Sequence, residues 1–199
     1  ELRRGFRYTY YVISDADAEP LQPWTTVLPG FVNFLREWQP AVGVPAYNSA
    51  ATRLDNTTEP QAIFHFDHMF IAVHAEASPL LLPYNTTMDV PCSWTSQWVF
   101  TLLSTAFWRN HILVYPGMRV LNPHHNNYPK DNCISEMGAA SQQLRDLAPA
   151  GSASCFPIPT AGAIRLPDGT TDFGYLPWGA AQRKGTLNYG TASLQSLAP

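Results

Sequence analysis

The chain has 199 residues, a formal net charge of −3, 14% charged residues and 45% hydrophobic residues. This length and apolar content suit one folded domain with a sizeable core. The small net charge gives no electrostatic reason to expect nucleic acid or an anionic membrane as a partner. The 6 Trp and 9 Tyr either fill a core braced by prolines or form platforms for a flat ligand such as a sugar or a base.

The first predicted element is a strand that ends in two neighbouring carboxylates. The run 8–14 is rich in aromatic and β-branched residues, which is typical of a buried strand, and Asp15 and Asp17 follow it. Because side chains alternate along a strand, both acids are expected to point to the same side of the chain. A cation between them relieves their repulsion. The sequence thus predicts a divalent metal, and a phosphate bound through it, at the rim of an open α/β sheet.

Further elements are predicted from apolar periodicity and from the positions of proline. Because Pro45 interrupts a short strand, that strand is predicted at a sheet edge or near its own end. The run 61–77 is predicted to begin as a strand and to become helical. The remaining predictions are helices over 24–38, 93–108 and 135–147, and strands over 41–47, 112–116 and 118–122.

The composition changes after Pro149, where Gly, Ala, Ser, Pro and Thr come to dominate. Residues 1–149 are therefore interpreted as one domain and residues 150–199 as an extended, loop-rich tail.

A polar segment, Asn-Pro-His-His-Asn-Asn-Tyr-Pro-Lys, follows the last predicted strand over residues 122–130. Imidazole binds Mn²⁺ or Zn²⁺, and a histidine just past a strand can reach the same rim as the aspartate pair. His125 is the preferred candidate ligand and His124 the second. Lys130 is a candidate for neutralising a phosphate. The alternative is a solvated polar loop.

Asp89 lies just before the helix predicted from Ser93. From the residues alone, its role is structural: Asp89 opens the turn or Ser93 caps the helix.

Polar residues also interrupt the apolar run 61–74, where His65, Asp67 and His68 occur close together. Asp67 is a candidate base and His68 a candidate contact to an acceptor. The alternative is that hydrogen bonds satisfy these groups inside the core.

Three cysteines and two glycosylation triplets indicate which cellular compartment the chain occupies. Asn56 and Asn85 each begin an Asn-x-Thr triplet, which indicates the secretory lumen. A disulfide between Cys133 and Cys155, with Cys92 as a buried thiol, is the preferred pairing. Three reduced cysteines in the cytosol are the alternative.

The acidic Asp15-Ala16-Asp17 motif after a hydrophobic strand resembles that of the GT-A glycosyltransferases, and the similarity extends in order and type over residues 8–130. The resemblance implies an α/β domain with a mixed, mostly parallel sheet flanked by helices. It implies that Asp15, Asp17 and a late histidine bind Mn²⁺ or Mg²⁺ against the diphosphate of a nucleotide sugar. The sugar is then transferred to a hydroxyl of a glycan or protein, in the Golgi lumen, with any membrane anchor outside this chain. If the enzyme is inverting, the resemblance also implies Asp89 as the general base that deprotonates this hydroxyl, with Trp94 as a sugar platform and Gln97 as a polar contact.

The nucleoside-binding half of such a domain would precede residue 15, and no glycine-rich phosphate loop replaces it. The expectation is therefore a partial domain: either the chain is a fragment of a longer enzyme, or the nucleoside site is contributed by something else. Two other functions remain open. One is a metal-dependent hydrolase that uses Asp15, Asp17, His65, His68 and His125. The other is a secreted, glycosylated binding module without enzymatic activity.

Overall fold

The computed structural model describes residues 8–47, 59–63, 66–89, 92, 94–123, 133–150, 156, 164–165, 171–172 and 177–179. These residues form a mixed sheet with helices on both faces. The strands are β1 (Tyr10–Ser14), β2 (Glu19–Pro20), β3 (Val42–Tyr47), β4 (Gln61–Ile63), β5 (Phe70–His74), β6 (Ile112–Leu121), β7 (Ile164–Arg165), β8 (Thr171–Asp172) and β9 (Pro177–Gly179). The α-helices are α1 (Trp24–Trp38), α2 (Ser78–Leu81), α3 (Thr95–Trp108) and α4 (Cys133–Leu147).

The main sheet has the strand order β1-β5-β3-β6-β4-β9, and β2 pairs with β6 outside this path. Within the described residues only β3 and β6 pair in parallel, and the other pairings are antiparallel. The prediction of a mostly parallel sheet is therefore wrong, although the mixed α/β class is confirmed. The reason is the position of β5, which lies between β1 and β3 and runs opposite to both.

The run 61–77 contains two strands, β4 and β5, where a strand passing into a helix was predicted. The two segments predicted around Gly117 form one strand, β6. β3 is not at an edge, because it lies between β5 and β6. Pro45 is tolerated there because β5 pairs only with Val42 and Gly43, and the register with β6 shifts directly after Pro45.

Helix α1 covers one face of the sheet and has the bounds that its apolar spacing predicts. Its buried residues include Phe31, Phe34 and Leu35, which pack in one cluster with sheet residues such as Phe70 and Leu113. Gln39 ends the helix in the left-handed conformation with φ 48°. Close approach requires a glycine at Gly43, because a Cβ there would lie 2.6 Å from a Leu35 methyl carbon.

Helix α3 covers the opposite face of the sheet. Phe100 and Trp108 are buried there against Val44, Val73 and Val114. Helix α4 packs on the outside of α3, where the Trp98 indole N–H donates to Ser141 Oγ at 2.9 Å.

A disulfide joins Cys92, before α3, to Cys133 at the start of α4. The predicted Cys133–Cys155 pairing is therefore wrong, and Cys155 lies outside the described residues. The packing of α4 on α3 brings Cys92 and Cys133 together, and sequence spacing alone contains no such information. In the described parts of the chain, no helix combines the length and apolar character needed to span a bilayer.

Candidate functional site

Asp15 and Asp67 come from different loops, and the backbone of Met69 holds both. The Asp15 N–H donates to the Met69 carbonyl at 2.8 Å, which extends the β1–β5 pairing by one residue. The Met69 N–H donates to Asp67 Oδ1 at 2.8 Å. The two aspartates therefore lie at the same end of the β1–β5 strand pair, and β1 is the edge strand of the sheet.

Three carboxylates share this end of the sheet, and we call Asp15, Asp17 and Asp67 the carboxylate cluster. Burial raises the pKa of Asp15, and the charges of Asp67 and Asp17 raise it further. Asp17 lies in a turn after β1, closed by the Ala18 N–H to the Asp15 carbonyl at 3.2 Å. The predicted pairing of Asp15 and Asp17 thus depends on this turn, because the strand already ends at Ser14.

His68 lies beneath the cluster at 6% exposure and has a partner on each ring nitrogen. Nδ1 lies 2.9 Å from the Tyr84 hydroxyl oxygen, and Nε2 lies 3.0 Å from Thr101 Oγ1 on α3. The ring also stacks on Phe66, with the ring centroids 4.8 Å apart. This arrangement matches the alternative of a hydrogen-bonded core residue more closely than that of an exposed contact to an acceptor.

Tyr84 connects His68 to the carboxylate cluster. Burial raises the pKa of its hydroxyl, and the charge of Asp15 raises it further. The phenol therefore stays protonated at all physiological pH values and remains a hydrogen-bonding group. The sequence did not lead us to predict Tyr84 or Thr101 as partners of His68. A buried histidine needs hydrogen-bond partners for both ring nitrogens, and this requirement was the available signal.

An open pocket of about 660 Å³ lies beside the cluster, on the α3 side of β1. Tyr11 and Ile13 form one wall, because alternate residues of a strand share a face. The segment from α2 to Tyr84 forms the other wall. The lining residues are Tyr11, Ile13, Ser78, Pro79, Leu82, Pro83 and Tyr84.

Asp89 lies in a 3₁₀ turn before α3 and caps that helix. Its Oδ1 accepts the Ser96 N–H at 2.8 Å, and its Oδ2 accepts the Ser96 hydroxyl at 2.8 Å. The structure thus shows a capping role for Asp89, and Ser93 lies outside the described residues. Trp94 and Gln97 are half-buried at the same helix end, and Gln97 lies one turn before Thr101 on the same face of α3.

Several predicted site residues cannot be placed with the cluster. His65, His124, His125 and Lys130 lie outside the described residues. In the described ranges, no group of three or more His, Cys, Asp or Glu side chains is arranged to hold a metal ion. Mn²⁺ and Mg²⁺ prefer oxygen ligands such as the carboxylates of the cluster. A bound cation would relieve the repulsion between these carboxylates.

Comparison of the chain with protein-family models, with curated proteins and with solved structures finds no match.

Proposed function

We propose that this chain carries the metal and acceptor sites of a metal-dependent glycosyltransferase that uses a nucleotide-sugar donor. The proposal rests on the residues of the site, because the mostly parallel sheet that the resemblance implied is not present in the described residues. The observation that carries it is that burial and the charges of Asp67 and Asp17 raise the pKa of Asp15, at the end of β1 where the Met69 backbone holds both Asp15 and Asp67. Carboxylates held together at this cost in repulsion are expected to bind a cation.

In this proposal Asp15 and Asp17 bind Mn²⁺ or Mg²⁺, with His125 or His124 as a further ligand and Lys130 as a phosphate contact. The metal would offset the negative charge that develops on the leaving diphosphate. The acceptor is a glycan or protein hydroxyl, and the proposed compartment is the secretory lumen. The Cys92–Cys133 disulfide is compatible with that compartment.

Asp67 is the preferred general base of the two acids considered. Both carboxylate oxygens of Asp89 already accept hydrogen bonds from Ser96. Asp67 is exposed, and its Oδ1 accepts the Met69 N–H. Among the described residues no hydrogen bond reaches Asp67 Oδ2, which leaves that oxygen for the proton of an acceptor hydroxyl.

The hydrolase alternative is less well supported, because both ring nitrogens of His68 already have partners in the core. The test is calorimetric titration of the chain with Mn²⁺, alone and with UDP or GDP. We expect Mn²⁺ binding that strengthens nucleotide binding in the unaltered chain, and loss of both in Asp15→Asn. Glu19→Gln is the matched control, because it removes an exposed carboxylate that is not among the charges acting on Asp15.

Each other outcome supports a different function. Binding of Mn²⁺ that leaves nucleotide affinity unchanged would favour the hydrolase. Absence of Mn²⁺ binding, with Asp15→Asn and Asp17→Asn both fully folded, would favour the binding module and overturn the proposal.

A further inference from the structure

The pocket beside the carboxylate cluster has almost entirely apolar walls. Two tyrosines and two prolines line it, and Ile13 and Leu82 add aliphatic surface. Its polar side chains are largely engaged elsewhere, since Ser78 Oγ donates to the Ala75 carbonyl at 2.9 Å and the Tyr84 hydroxyl bonds to His68. The pocket therefore offers surface for stacking and few partners for hydroxyl groups.

The apolar character of the walls favours an aromatic ring over a sugar ring as the occupant of the pocket. A sugar ring in this open pocket would find few hydrogen-bond partners on the walls and would leave its hydroxyls to solvent, so the walls add little to its binding. An aromatic ring has flat apolar faces that match the walls and needs no such partners. The tyrosine rings add edge-to-face or stacked contacts of the kind that aromatic pairs prefer.

The end of the pocket supplies the polar part of the site. Ile13 is two residues before Asp15, and Tyr84 both lines the pocket and is close enough to Asp15 for that charge to act on it. The Ile13 and Tyr84 end of the pocket is therefore the end nearer to Asp15, so a ligand that extends out of this end extends toward the carboxylate cluster.

We infer that the pocket binds the aromatic ring of an aryl glycoside, which would be the acceptor in the proposed transfer reaction. The role of the glycoside as an acceptor rests on the proposed function. The binding of its aromatic ring does not depend on metal or nucleotide. The sugar hydroxyls of the glycoside would then face Asp67.

The test compares phenyl β-D-glucopyranoside with methyl β-D-glucopyranoside by ligand-observed NMR, without metal or nucleotide. We expect the phenyl compound to bind about tenfold more tightly, as burial of one ring predicts. Ile13→Thr should weaken phenyl glucoside roughly fivefold, since it exchanges apolar for polar pocket surface. Val12→Thr is the matched control, because Val12 is 55% exposed on the opposite face of the same strand.

A second variant guards against loss of folding in Ile13→Thr, which removes a side chain that packs against the core. Pro79 lines the pocket but is exposed, so Pro79→Ser should fold normally and also weaken phenyl glucoside. Equal affinity for the two glucosides, or phenyl binding that neither variant alters, would overturn the inference. Binding of benzylammonium in place of phenyl glucoside would also overturn it, because the cluster would then be recognising a positive charge.

The two proposals fail separately. If Mn²⁺ and nucleotide do not bind while the phenyl glucoside binds through Ile13, the pocket remains an aryl site and the transferase proposal falls. If metal and nucleotide bind but the two glucosides bind alike, the transferase proposal stands and the aryl acceptor is rejected.

Discussion

The Nδ1 atom of His68 lies 2.9 Å from the hydroxyl oxygen of Tyr84, a residue sixteen positions further along the chain. The other ring nitrogen lies 3.0 Å from Thr101 Oγ1 on α3. Through His68, the loop between β4 and β5 is therefore tied both to a wall of the pocket and to the helix that covers the sheet. The carboxylate cluster and the pocket share this support.

Tyr84→Phe should destabilise the fold by about 1–2 kcal/mol, because it removes the partner of a largely buried imidazole nitrogen. Urea denaturation measures this loss directly. Tyr11→Phe is the control, since Tyr11 lines the same pocket and has no described contact with His68. Equal stability of Tyr84→Phe and the unaltered chain would show that the hydrogen bond contributes nothing.

The stability of the fold should depend on the charge of Asp15. The folded state raises the Asp15 pKa above its ordinary value of 3.8, so the folded chain holds this proton to higher pH than the unfolded chain does. The contribution of Asp15 to the free energy of unfolding is therefore largest below pH 3.8 and falls as pH rises through the raised pKa.

Asp15→Asn should consequently be more stable than the unaltered chain at pH 7, and this advantage should shrink toward pH 3 because the native carboxyl is then protonated. Thermal unfolding across this pH range tests the prediction. Glu19→Gln should keep the pH dependence of the unaltered chain. An Asp15→Asn profile parallel to that of the unaltered chain would contradict the repulsion seen in the cluster.

Substitutions of Asp89 separate helix capping from catalysis. Asp89→Ala removes both bonds to Ser96 and should cost about 1 kcal/mol of stability. Asp89→Asn keeps an oxygen for the Ser96 N–H and should be nearly as stable as the unaltered chain. If Asp89 is only a cap, any transfer activity survives in Asp89→Asn. An inactive but stable Asp89→Asn would instead indicate a general base.

The Cys92–Cys133 disulfide closes a loop across a sequence separation of 41 residues. Loss of that constraint in Cys133→Ser should cost about 4 kcal/mol on the loop-entropy estimate. Peptide mapping by mass spectrometry under non-reducing conditions tests the pairing. Cys155→Ser should leave the Cys92–Cys133 peptide intact, and disappearance of that peptide would favour the pairing predicted from sequence.

The sequence was sufficient to predict a helix or strand wherever apolar residues recur at regular spacing within one segment. The spacing of Phe31, Phe34 and Leu35 gave the bounds of α1, since one apolar stripe defines a helix without reference to its neighbours. The aromatic and β-branched run before Asp15 predicted the strand β1, but its predicted burial is wrong, because β1 lies at the edge of the sheet with Val12 and Ser14 exposed. The candidates Asp15, Asp17, Asp67 and His68 were also visible as polar residues in apolar surroundings.

The sequence by itself therefore determined the mixed α/β class and the helix α1, and it showed that Asp15 and Asp17 follow the first strand. Only the tertiary structure brought Asp67 next to Asp15, through the Met69 backbone. Only the tertiary structure decided that β5 inserts antiparallel between β1 and β3, that Cys92 pairs with Cys133, and that Tyr84 and Thr101 hold His68. The physical reason is that hydrophobic periodicity reports which face of a segment is buried. It does not report which distant segment covers that face, and strand order, disulfide pairing and side-chain hydrogen bonds all depend on that choice.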